Sequence, residues 1–308
     1  MPIDKYTLKL RQAMTLQDKI RYTQRRINEW VDHFGENGCY ISFSGGKDST
    51  VLLHLVRDLY PNIEAVFVDT GLEYPEIRNF VKSFDNVTIL RPDKRFDKVL
   101  EEYGYPIIGK EVSKCIYEAR RGYQYQINKL NGNRKDKDGN PSRFNYTQWK
   151  FLLDAPFKIS DKCCTVMKKR PVHKYYKSSG KAPIIGTMAE ESQLRRQQYI
   201  KNGCNAFNNK IPTSTPIAFW TEQDILEYID TYKIPIASVY GEVMKDNKNK
   251  YYTTGCQRTG CMFCGYGCHR EKEPNRFQKL KETHPKQYDY IINNLGMGEV
   301  LDFLNIKY

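Results

Sequence analysis

The 308-residue sequence has no long run of apolar residues. Its longest apolar stretches are only a few residues, whereas a membrane-spanning helix needs roughly 20. The N-terminus, Met1–Lys5, also lacks the apolar segment of a secretory signal peptide. We therefore expect a cytoplasmic protein with no membrane partner. In that compartment the nine cysteines stay reduced, so clustered cysteines indicate metal or redox chemistry rather than disulfides.

Acidic residues are also in short supply. The chain has 36 Asp and Glu residues against 49 Lys and Arg, a formal net charge of +13. Such an excess favours an anionic partner such as a nucleotide, a phosphorylated or sulfated metabolite, or nucleic acid, although a solvated lysine-rich surface explains it equally well. The length fits two domains, or one with an appendage, and a 40% hydrophobic content allows a sizeable core.

Hydrophobic periodicity predicts alternating strands and helices. We expect strands at residues 39–43, 64–68, 87–90 and 182–186, and helices at 5–34, 48–59, 75–84, 110–129 and 221–232. A polar loop is predicted at 131–141. This order is typical of a parallel sheet with helices on both faces.

A glycine-containing loop lies between the first predicted strand and its helix. Glycines allow backbone N–H groups to approach phosphate oxygens, and the helix N-terminus adds positive potential. Hydroxyls can donate hydrogen bonds, the lysine adds a charge, and the aspartate can cap the helix or hold Mg²⁺. The predicted nucleotide-binding residues are Ser44, Gly45, Gly46, Lys47, Asp48, Ser49 and Thr50, and of these Lys47 and Asp48 are candidate catalytic residues.

This loop is not the P-loop pattern of kinases and GTPases. It resembles the SGGxDS pyrophosphate loop of ATP pyrophosphatases, which belong to the adenine nucleotide alpha hydrolase-like superfamily. Asp69, Thr70 and Gly71 follow the second predicted strand and resemble a nucleotide-binding motif of one branch, the phosphoadenosine phosphosulfate reductase family. The segments 215–225 and 234–240 also resemble motifs of that family. The resemblance implies binding of ATP, or of adenylyl sulfate or phosphoadenylyl sulfate.

The cysteines allow two metal sites. Family members with a [4Fe–4S] cluster carry a Cys-Cys pair followed by a distant CxxC, here Cys163, Cys164, Cys261 and Cys264. Neighbouring cysteines do not easily share one zinc ion but can bind different irons of a cluster. Lys168 matches a lysine that the family places beside its cluster.

The alternative is a zinc site confined to the tail. A C-x4-C-x2-C-x3-C pattern brings four thiols within 13 residues: Cys256, Cys261, Cys264 and Cys268. If the cluster forms instead, Cys256 and Cys268 are left as free thiols, and either is a candidate nucleophile or sulfur carrier. The absence of any metal is the third alternative.

The sequence departs from the reductase pattern in two places. In the stretch Gly186–Arg195 the family has an early basic pair that faces the sulfonucleotide, and here Met188 and Ala189 stand instead. Gly186, Ser192 and Arg195 match the pattern and are predicted to bind nucleotide. Reductases also use a cysteine near the C-terminus as nucleophile, whereas no cysteine follows Cys268.

The predicted fold is α/β, a doubly wound, mostly parallel, Rossmann-like sheet. An N-terminal helical segment (1–35), a nucleotide-binding domain (36–245) and a cysteine-rich, metal-binding C-terminal segment with a helical tail (246–308) make up the predicted organisation.

Three functions follow from these predictions. The first is an ATP-cleaving enzyme that adenylylates an acceptor with Mg²⁺ and then transfers sulfur, with tRNA or DNA as acceptor and a sulfur-donor protein or thiol as partner. The basic and aromatic segment 110–150 and Lys168–Arg170 suit nucleic acid, although a solvated polar face explains them as well. The second is an adenylyl-sulfate or phosphoadenylyl-sulfate reductase that forms sulfite. The third is a nucleotide- or nucleic-acid-binding module with structural zinc.

Overall fold

A computed structural model describes residues 3–308, which form two compact units. The first unit comprises residues 3–69, Glu73–Leu90 and Val172–Gly260. The second unit comprises Thr70–Leu72, Arg91–Pro171 and Cys261–Tyr308. Within the described residues, no helix combines the length and apolar character needed to cross a membrane. The predicted division of the chain at residues 1–35, 36–245 and 246–308 stays a prediction.

The first unit contains a six-stranded sheet and most of the longer helices. Its strands are β1 (Cys39–Ser42), β2 (Ala65–Val68), β3 (Val87–Leu90), β5 (Ala182–Ile185), β6 (Asn205–Ala206) and β7 (Thr213–Ser214), with the hairpin β8 (Val243–Lys245) and β9 (Tyr251–Thr253) outside the sheet. Its helices are α1 (Lys5–Gln12), α2 (Leu16–Phe34), α3 (Lys47–Leu59), α4 (Pro75–Lys82), most of α9 (Arg170–Ser179), α10 (Gln193–Asn202) and α11 (Glu222–Tyr232).

The second unit is mainly helical. Its helices are α5 (Phe96–Tyr103), α6 (Lys110–Ala119), α7 (Gln124–Leu130), α8 (Lys162–Cys164), α12 (Arg276–Thr283), α13 (Pro285–Asp289) and α14 (Met297–Phe303), with π-helical turns at Thr165–Lys169 and Tyr290–Asn294. Its strands β4 (Ile107–Ile108) and β10 (Gly265–Tyr266) pair in parallel. Position 265 requires glycine, because a Cβ there would lie 2.8 Å from the Pro106 carbonyl oxygen.

The sheet confirms the predicted α/β class and mostly parallel pairing. The strand order is β3-β2-β1-β5-β7-β6, and only β6 and β7 pair antiparallel. After β1 the chain forms β2 and β3 toward one edge of the sheet, and β5 then pairs with the other side of β1. This order places a topological switch point between β1 and β5, where open parallel sheets bind ligands at their carboxyl ends.

Burial explains why the strands read as apolar runs. Three of the four residues in each of β1, β2 and β5 are buried, as expected of parallel strands covered on both faces. Trp30 of α2 and Trp220 are fully buried in the same core. A buried ion pair joins Lys19 of α2 to Asp224 of α11, with 2.6 Å between Nζ and Oδ2.

Two predicted helices are each interrupted in the structure. The predicted helix 5–34 is two helices, because Thr15 caps a new helix by accepting a hydrogen bond from the Asp18 amide. The predicted helix 110–129 is also two, since the chain turns at Arg120–Tyr123, where Gly122 has φ +83°. Residues 131–141 form the predicted polar turn, with one bridge between Lys135 and Pro141.

Candidate functional site

The loop that joins β1 to α3 has the shape expected of a phosphate cradle. Gly45 has φ +71°, and a Cβ there would lie 2.8 Å from the methyl groups of Ile77 and Val81. Glycine is therefore required both by backbone conformation and by space. Gly46 is the N-cap residue of α3 and receives no side-chain cap, so the helix N-terminus stays open toward an anion.

The loop hydroxyls bind one another and the loop backbone. Ser44 Oγ and Ser49 Oγ are 3.0 Å apart, and Ser49 Oγ also donates to the Gly46 carbonyl at 2.9 Å. Thr50 Oγ1 donates to the same carbonyl at 3.0 Å. These contacts hold the loop in shape before a ligand arrives, which is the preorganisation that anion binding requires.

Lys47 is buried and paired, a role that its position in the loop did not predict. Its ammonium group lies 2.5 Å from Glu222 Oε1 and donates to the Gln257 carbonyl at 2.6 Å. The Lys47 amide donates to the Tyr240 hydroxyl at 3.3 Å. The lysine charge is thus fixed beside the loop by groups more than 170 residues away in sequence.

Asp48 is a largely buried carboxylate with one unsatisfied oxygen. Its Oδ1 atom is buried and has no hydrogen-bond partner in the structure. Burial raises the pKa of Asp48, as does Glu222, while the cations Lys47, Arg258 and Arg195 act in the opposite direction. The helix-capping alternative is wrong, because no side chain caps α3. An orphaned carboxylate oxygen next to a phosphate cradle fits a Mg²⁺ ligand.

The Gly186–Arg195 stretch follows β5 and packs against the loop. A Cβ on Gly186 would lie 3.3 Å from the Ser49 Cα, so glycine permits close approach to α3. Ser192 caps α10 by accepting from the Arg195 amide at 3.2 Å. The Arg195 guanidinium forms an ion pair with Glu191. The hydroxyl of Ser192 and the charge of Arg195 thus already have partners within the protein.

Met188 and Ala189 belong to the hydrophobic core, with 2% and 1% of their surfaces exposed. A polar cavity of ≈ 150 Å³ begins at Thr187 and extends over the sheet. Its hydrogen-bonding lining includes Arg195, Gln198, Asn202, Asn209, Thr213 and Thr215. The first unit therefore has space for a polar group beside the Gly186–Arg195 stretch.

Asp69, Thr70 and Gly71 follow β2 as predicted. In the first unit, the buried Asp69 carboxylate pairs with Arg78 at 2.9 Å. In the second unit, Thr70 Oγ1 accepts from the Leu72 amide at 3.2 Å, and Gly71 has φ +75°. In the second unit, the Thr70 contact and the positive φ of Gly71 form a tight turn.

Four cysteines of the second unit line one cavity. Cys163 and Cys164 lie on α8, and Cys261 and Cys264 precede β10. The remaining lining is apolar apart from Lys168 and includes Leu72, Phe96, Pro106, Met167 and Phe263. The Sγ atoms of Cys163 and Cys164 are 3.9 Å apart. The structure thus brings together the four thiols and the lysine that sequence reasoning grouped.

The electrostatics of this cysteine cavity favour a thiolate. The hydrogen bond from Cys163 lowers the pKa of Cys164 to about 6, and the ammonium groups of Lys110, Lys168 and Lys169 act in the same direction. The Tyr266 hydroxyl is buried without a hydrogen-bond partner, and the thiols Cys163, Cys164 and Cys264 lie within its electrostatic range. An orphaned donor beside thiols fits a hydrogen bond to a sulfur-rich group.

No group of three or more His, Cys, Asp or Glu side chains in residues 3–308 converges on one metal ion. The metal-binding role predicted for the cysteine-rich C-terminal segment is therefore not confirmed.

The two remaining candidate cysteines do not line the cysteine cavity. Cys268 is buried, and burial raises the pKa of its thiol to about 11. Cys256 is half-buried in the first unit, where its amide donates to the Val239 carbonyl at 2.9 Å. A thiol with a raised pKa is a poor nucleophile at neutral pH, which disfavours Cys268 as the candidate nucleophile.

A basic and aromatic surface covers part of the second unit. Arg134 stacks on the exposed Tyr125 ring, 4.3 Å from its centroid, and the Lys129 ammonium lies 5.2 Å and 5.4 Å from the rings of Tyr125 and Tyr146. We call these four residues, with the exposed Tyr123, the aromatic platform. Arg120, also counted in the predicted basic segment, instead holds the carbonyls of Leu152, Ala155 and Phe157.

The comparisons with known proteins agree on the family. The family model described as phosphoadenosine phosphosulfate reductase domain matches residues 38–107 and 107–265. An adenosine 5'-phosphosulfate reductase of Staphylococcus epidermidis is 23% identical over 235 residues, which are 75% of this chain and 73% of that protein. Two uncharacterized proteins of Methanocaldococcus jannaschii are 24% and 23% identical and match 80% and 81% of this chain. The aligned region spans less than half of those two proteins, 45% and 39% of their lengths.

Two solved structures resemble this chain at low identity. The phosphoadenylyl-sulfate reductase of Candida auris, in a phosphate complex, is 14% identical with a TM-score of 0.39 and covers 81% of this chain and 98% of its own. The FMN adenylyltransferase of Candida glabrata is 13% identical with a TM-score of 0.41 and covers 76% and 64% respectively.

Proposed function

Since this chain belongs to the phosphoadenosine phosphosulfate reductase family, we propose that it is an enzyme that binds ATP at the loop 44–50 and activates an acceptor for sulfur transfer. The observation that carries this proposal is the phosphate loop itself. Gly45 gives it the required turn, α3 directs its N-terminus at the ligand, and Lys47 is fixed beside it.

The proposed reaction has two displacements. An oxygen of the acceptor attacks the α-phosphorus of ATP, the bond between that phosphorus and the bridging oxygen breaks, and pyrophosphate leaves with the electron pair. The terminal sulfur of a donor persulfide then attacks the adenylylated acceptor, and AMP leaves. A thiol reductant cleaves the S–S bond of the resulting disulfide, so that the donor departs as a thiol and one sulfur stays on the acceptor. The loop amides and α3 stabilise the charge that develops on the leaving pyrophosphate.

Mg²⁺ is the expected metal of this reaction, and Asp48 is the residue that would hold it. Its buried, unpartnered Oδ1 is the kind of oxygen ligand that Mg²⁺ prefers. Bound Mg²⁺ neutralises phosphate charge during phosphoryl and nucleotidyl transfer.

A [4Fe–4S] cluster is the proposed second cofactor, held by Cys163, Cys164, Cys261 and Cys264. The single apolar cavity that all four thiols line supports this ligand set. Such a cluster supplies one-electron chemistry whose potential depends on nearby charges and hydrogen bonds. In this chain Lys168 would hold a positive charge beside it, and the Tyr266 hydroxyl would donate to a sulfur.

Nucleic acid, tRNA or DNA, is the proposed acceptor. In the aromatic platform the exposed rings of Tyr123 and Tyr125 lie with the guanidinium of Arg134, which stacks on Tyr125. Unpaired bases bind such surfaces by stacking, while the phosphates meet positive charge. The net charge of +13 acts in the same direction.

A reductase is the second candidate, favoured by the relatives named adenosine 5'-phosphosulfate reductase. In that reaction the Cys256 thiolate would attack the sulfur of a sulfonucleotide and release AMP or 3′-phospho-AMP, and a thiol reductant would then free sulfite. The core positions of Met188 and Ala189 speak against it, because neither can supply charge to a sulfate group.

The test is to purify the protein anaerobically and offer ATP, adenylyl sulfate and phosphoadenylyl sulfate separately, with Mg²⁺ and a thiol reductant. AMP and pyrophosphate from ATP would support the proposal. Sulfite from either sulfonucleotide would replace it with the reductase, and Cys256→Ser would then have to abolish the reaction. Binding without any turnover, also when oligonucleotides and a sulfur donor are added, would leave the binding-module alternative.

A further inference from the structure

A short segment of the first unit lies across the phosphate loop. We call residues 254–260 the strap. The Gln257 carbonyl accepts from the Lys47 ammonium at 2.6 Å, and Thr259 Oγ1 lies 2.5 Å from the Tyr240 hydroxyl. That same Tyr240 hydroxyl accepts from the Lys47 amide. Two separate contacts therefore tie the strap to the first residue of α3.

The strap is anchored on a rigid neighbour. The Cys256 amide donates to the Val239 carbonyl at 2.9 Å, and the Gly255 amide donates to the Tyr240 carbonyl at 2.8 Å. A Cβ on Gly255 would lie 2.4 Å from the Val239 carbonyl oxygen, so this close approach depends on glycine. The backbone of the strap is thus held beside the loop.

Arg258 is the charged side chain that the strap carries. It is exposed, and within residues 3–308 it makes no ion pair. Its charge acts on Asp48, which follows β1 in the chain, and on Arg195, which follows β5. Burial lowers the pKa of Arg195, and the positive charge of Arg258 acts in the same direction.

The other cations around the loop are already paired. Lys47 is bound to Glu222, and Arg195 is bound to Glu191. Among these three positive groups, Arg258 alone keeps its charge available in the described structure. The planar guanidinium of an unpaired arginine can bind a phosphate through two parallel hydrogen bonds.

We propose that Arg258, held by the strap, binds the phosphate chain of the nucleotide at the loop, with Arg195 beside it. This inference rests on the proposed function, because it assigns a residue to the same nucleotide site. It identifies a phosphate-binding cation outside the loop, on a segment that the loop motif does not include.

Isothermal titration with inorganic pyrophosphate and with ATP tests this assignment without requiring turnover. Wild-type protein should bind both ligands. Arg258→Ala should weaken binding of both about 10-fold or more, and Arg258→Lys should restore only part of the affinity, since lysine keeps the charge but loses the two-pronged geometry. Lys250→Ala, in the exposed β8–β9 turn of the same unit, is the matched control and should bind like wild type.

Equal affinity of Arg258→Ala and wild type, or no binding by the folded wild type, would overturn the assignment. Circular dichroism of each variant shows whether the fold is kept. Binding that depends on Arg258 without ATP cleavage would uphold the assignment and defeat the proposed ATP chemistry. ATP cleavage at the same rate with and without Arg258 would uphold the proposed ATP chemistry and defeat the assignment of Arg258.

Discussion

The ammonium group of Lys47 lies 2.5 Å from a carboxylate oxygen of Glu222, at the point where the phosphate loop becomes α3. The lysine is 4% exposed, while the glutamate side chain is 38% exposed. A fixed positive charge beside a phosphate loop favours anions, but a carboxylate next to it partly cancels that charge. Glu222 therefore holds the lysine in place and also limits how strongly the loop attracts phosphate.

The first prediction concerns this pair. Glu222→Gln keeps the shape of the side chain and removes its negative charge, while the Gln257 carbonyl still holds Lys47. Pyrophosphate should therefore bind about 3- to 10-fold more tightly at low salt, with the gain shrinking as salt rises. Titration calorimetry at two salt concentrations measures this. Weaker pyrophosphate binding by Glu222→Gln would mean that the carboxylate acts mainly by orienting the lysine.

The second prediction concerns the cysteine cavity. Cys163→Ser and Cys261→Ser should each abolish the brown colour and the iron content of anaerobically purified protein, because each removes a proposed ligand. Cys268→Ala and Cys256→Ala, which lie outside this cavity, should keep both. Colour that survives both serine changes would refute the cluster. Zinc that is lost on Cys268→Ala would support the tail site instead.

The third prediction concerns the aromatic platform. Tyr125→Ala removes the exposed ring on which Arg134 stacks, and should weaken binding of a single-stranded oligonucleotide by about 1–3 kcal/mol. Fluorescence anisotropy with a labelled oligonucleotide measures the change. Tyr252→Ala, which removes an exposed ring from β9, is the matched control and should leave binding unaltered. Equal losses in both variants would show that the platform has no special role.

The fourth prediction concerns stability and pH. Although burial acts to raise it, the pKa of Glu64 is lowered by hydrogen bonds from Lys181, Thr88 and Tyr175. The folded pKa lies below the unfolded value, so these contacts stabilise the protein above about pH 4.5, and the benefit is lost as the pH falls through the folded pKa.

Glu64→Gln should therefore lower the free energy of unfolding by about 1–2 kcal/mol at pH 7, and by much less near pH 3. Urea unfolding at the two pH values tests this, with the exposed Glu242→Gln as control. A difference between wild type and Glu64→Gln that does not change with pH would show that charge is not the cause.

Local patterns predicted the centre of the fold well. The apolar run of β1, the glycines of the loop and the apolar face of α3 are close together in sequence, and their own conformational preferences agree with the structure. Helix interruptions were harder to predict. Thr15 lies within a stretch of helical spacing, and its hydroxyl, which accepts a hydrogen bond from the Asp18 amide, shows that a new helix begins there.

The rest of the site depends on contacts that no local pattern encodes. Lys47 and Gln257 are 210 residues apart in sequence, and only the folded chain brings them within hydrogen-bonding distance. The two-residue strands β6 and β7 are too short to show any periodicity. Arg258 stands between Cys256 and Cys261, two positions of the predicted tail metal site, so its sequence context indicates metal binding rather than contact with the loop.

The most direct test of the account is phosphorus-31 NMR of ATP incubated with Mg²⁺, wild-type protein and a single-stranded oligonucleotide, beside the same reaction with Lys47→Ala. The account predicts AMP and pyrophosphate from wild type, and a rate at least about 100-fold lower from the variant, since one fixed cation at a developing charge is lost. ADP and orthophosphate, or equal rates from the two proteins, would contradict it.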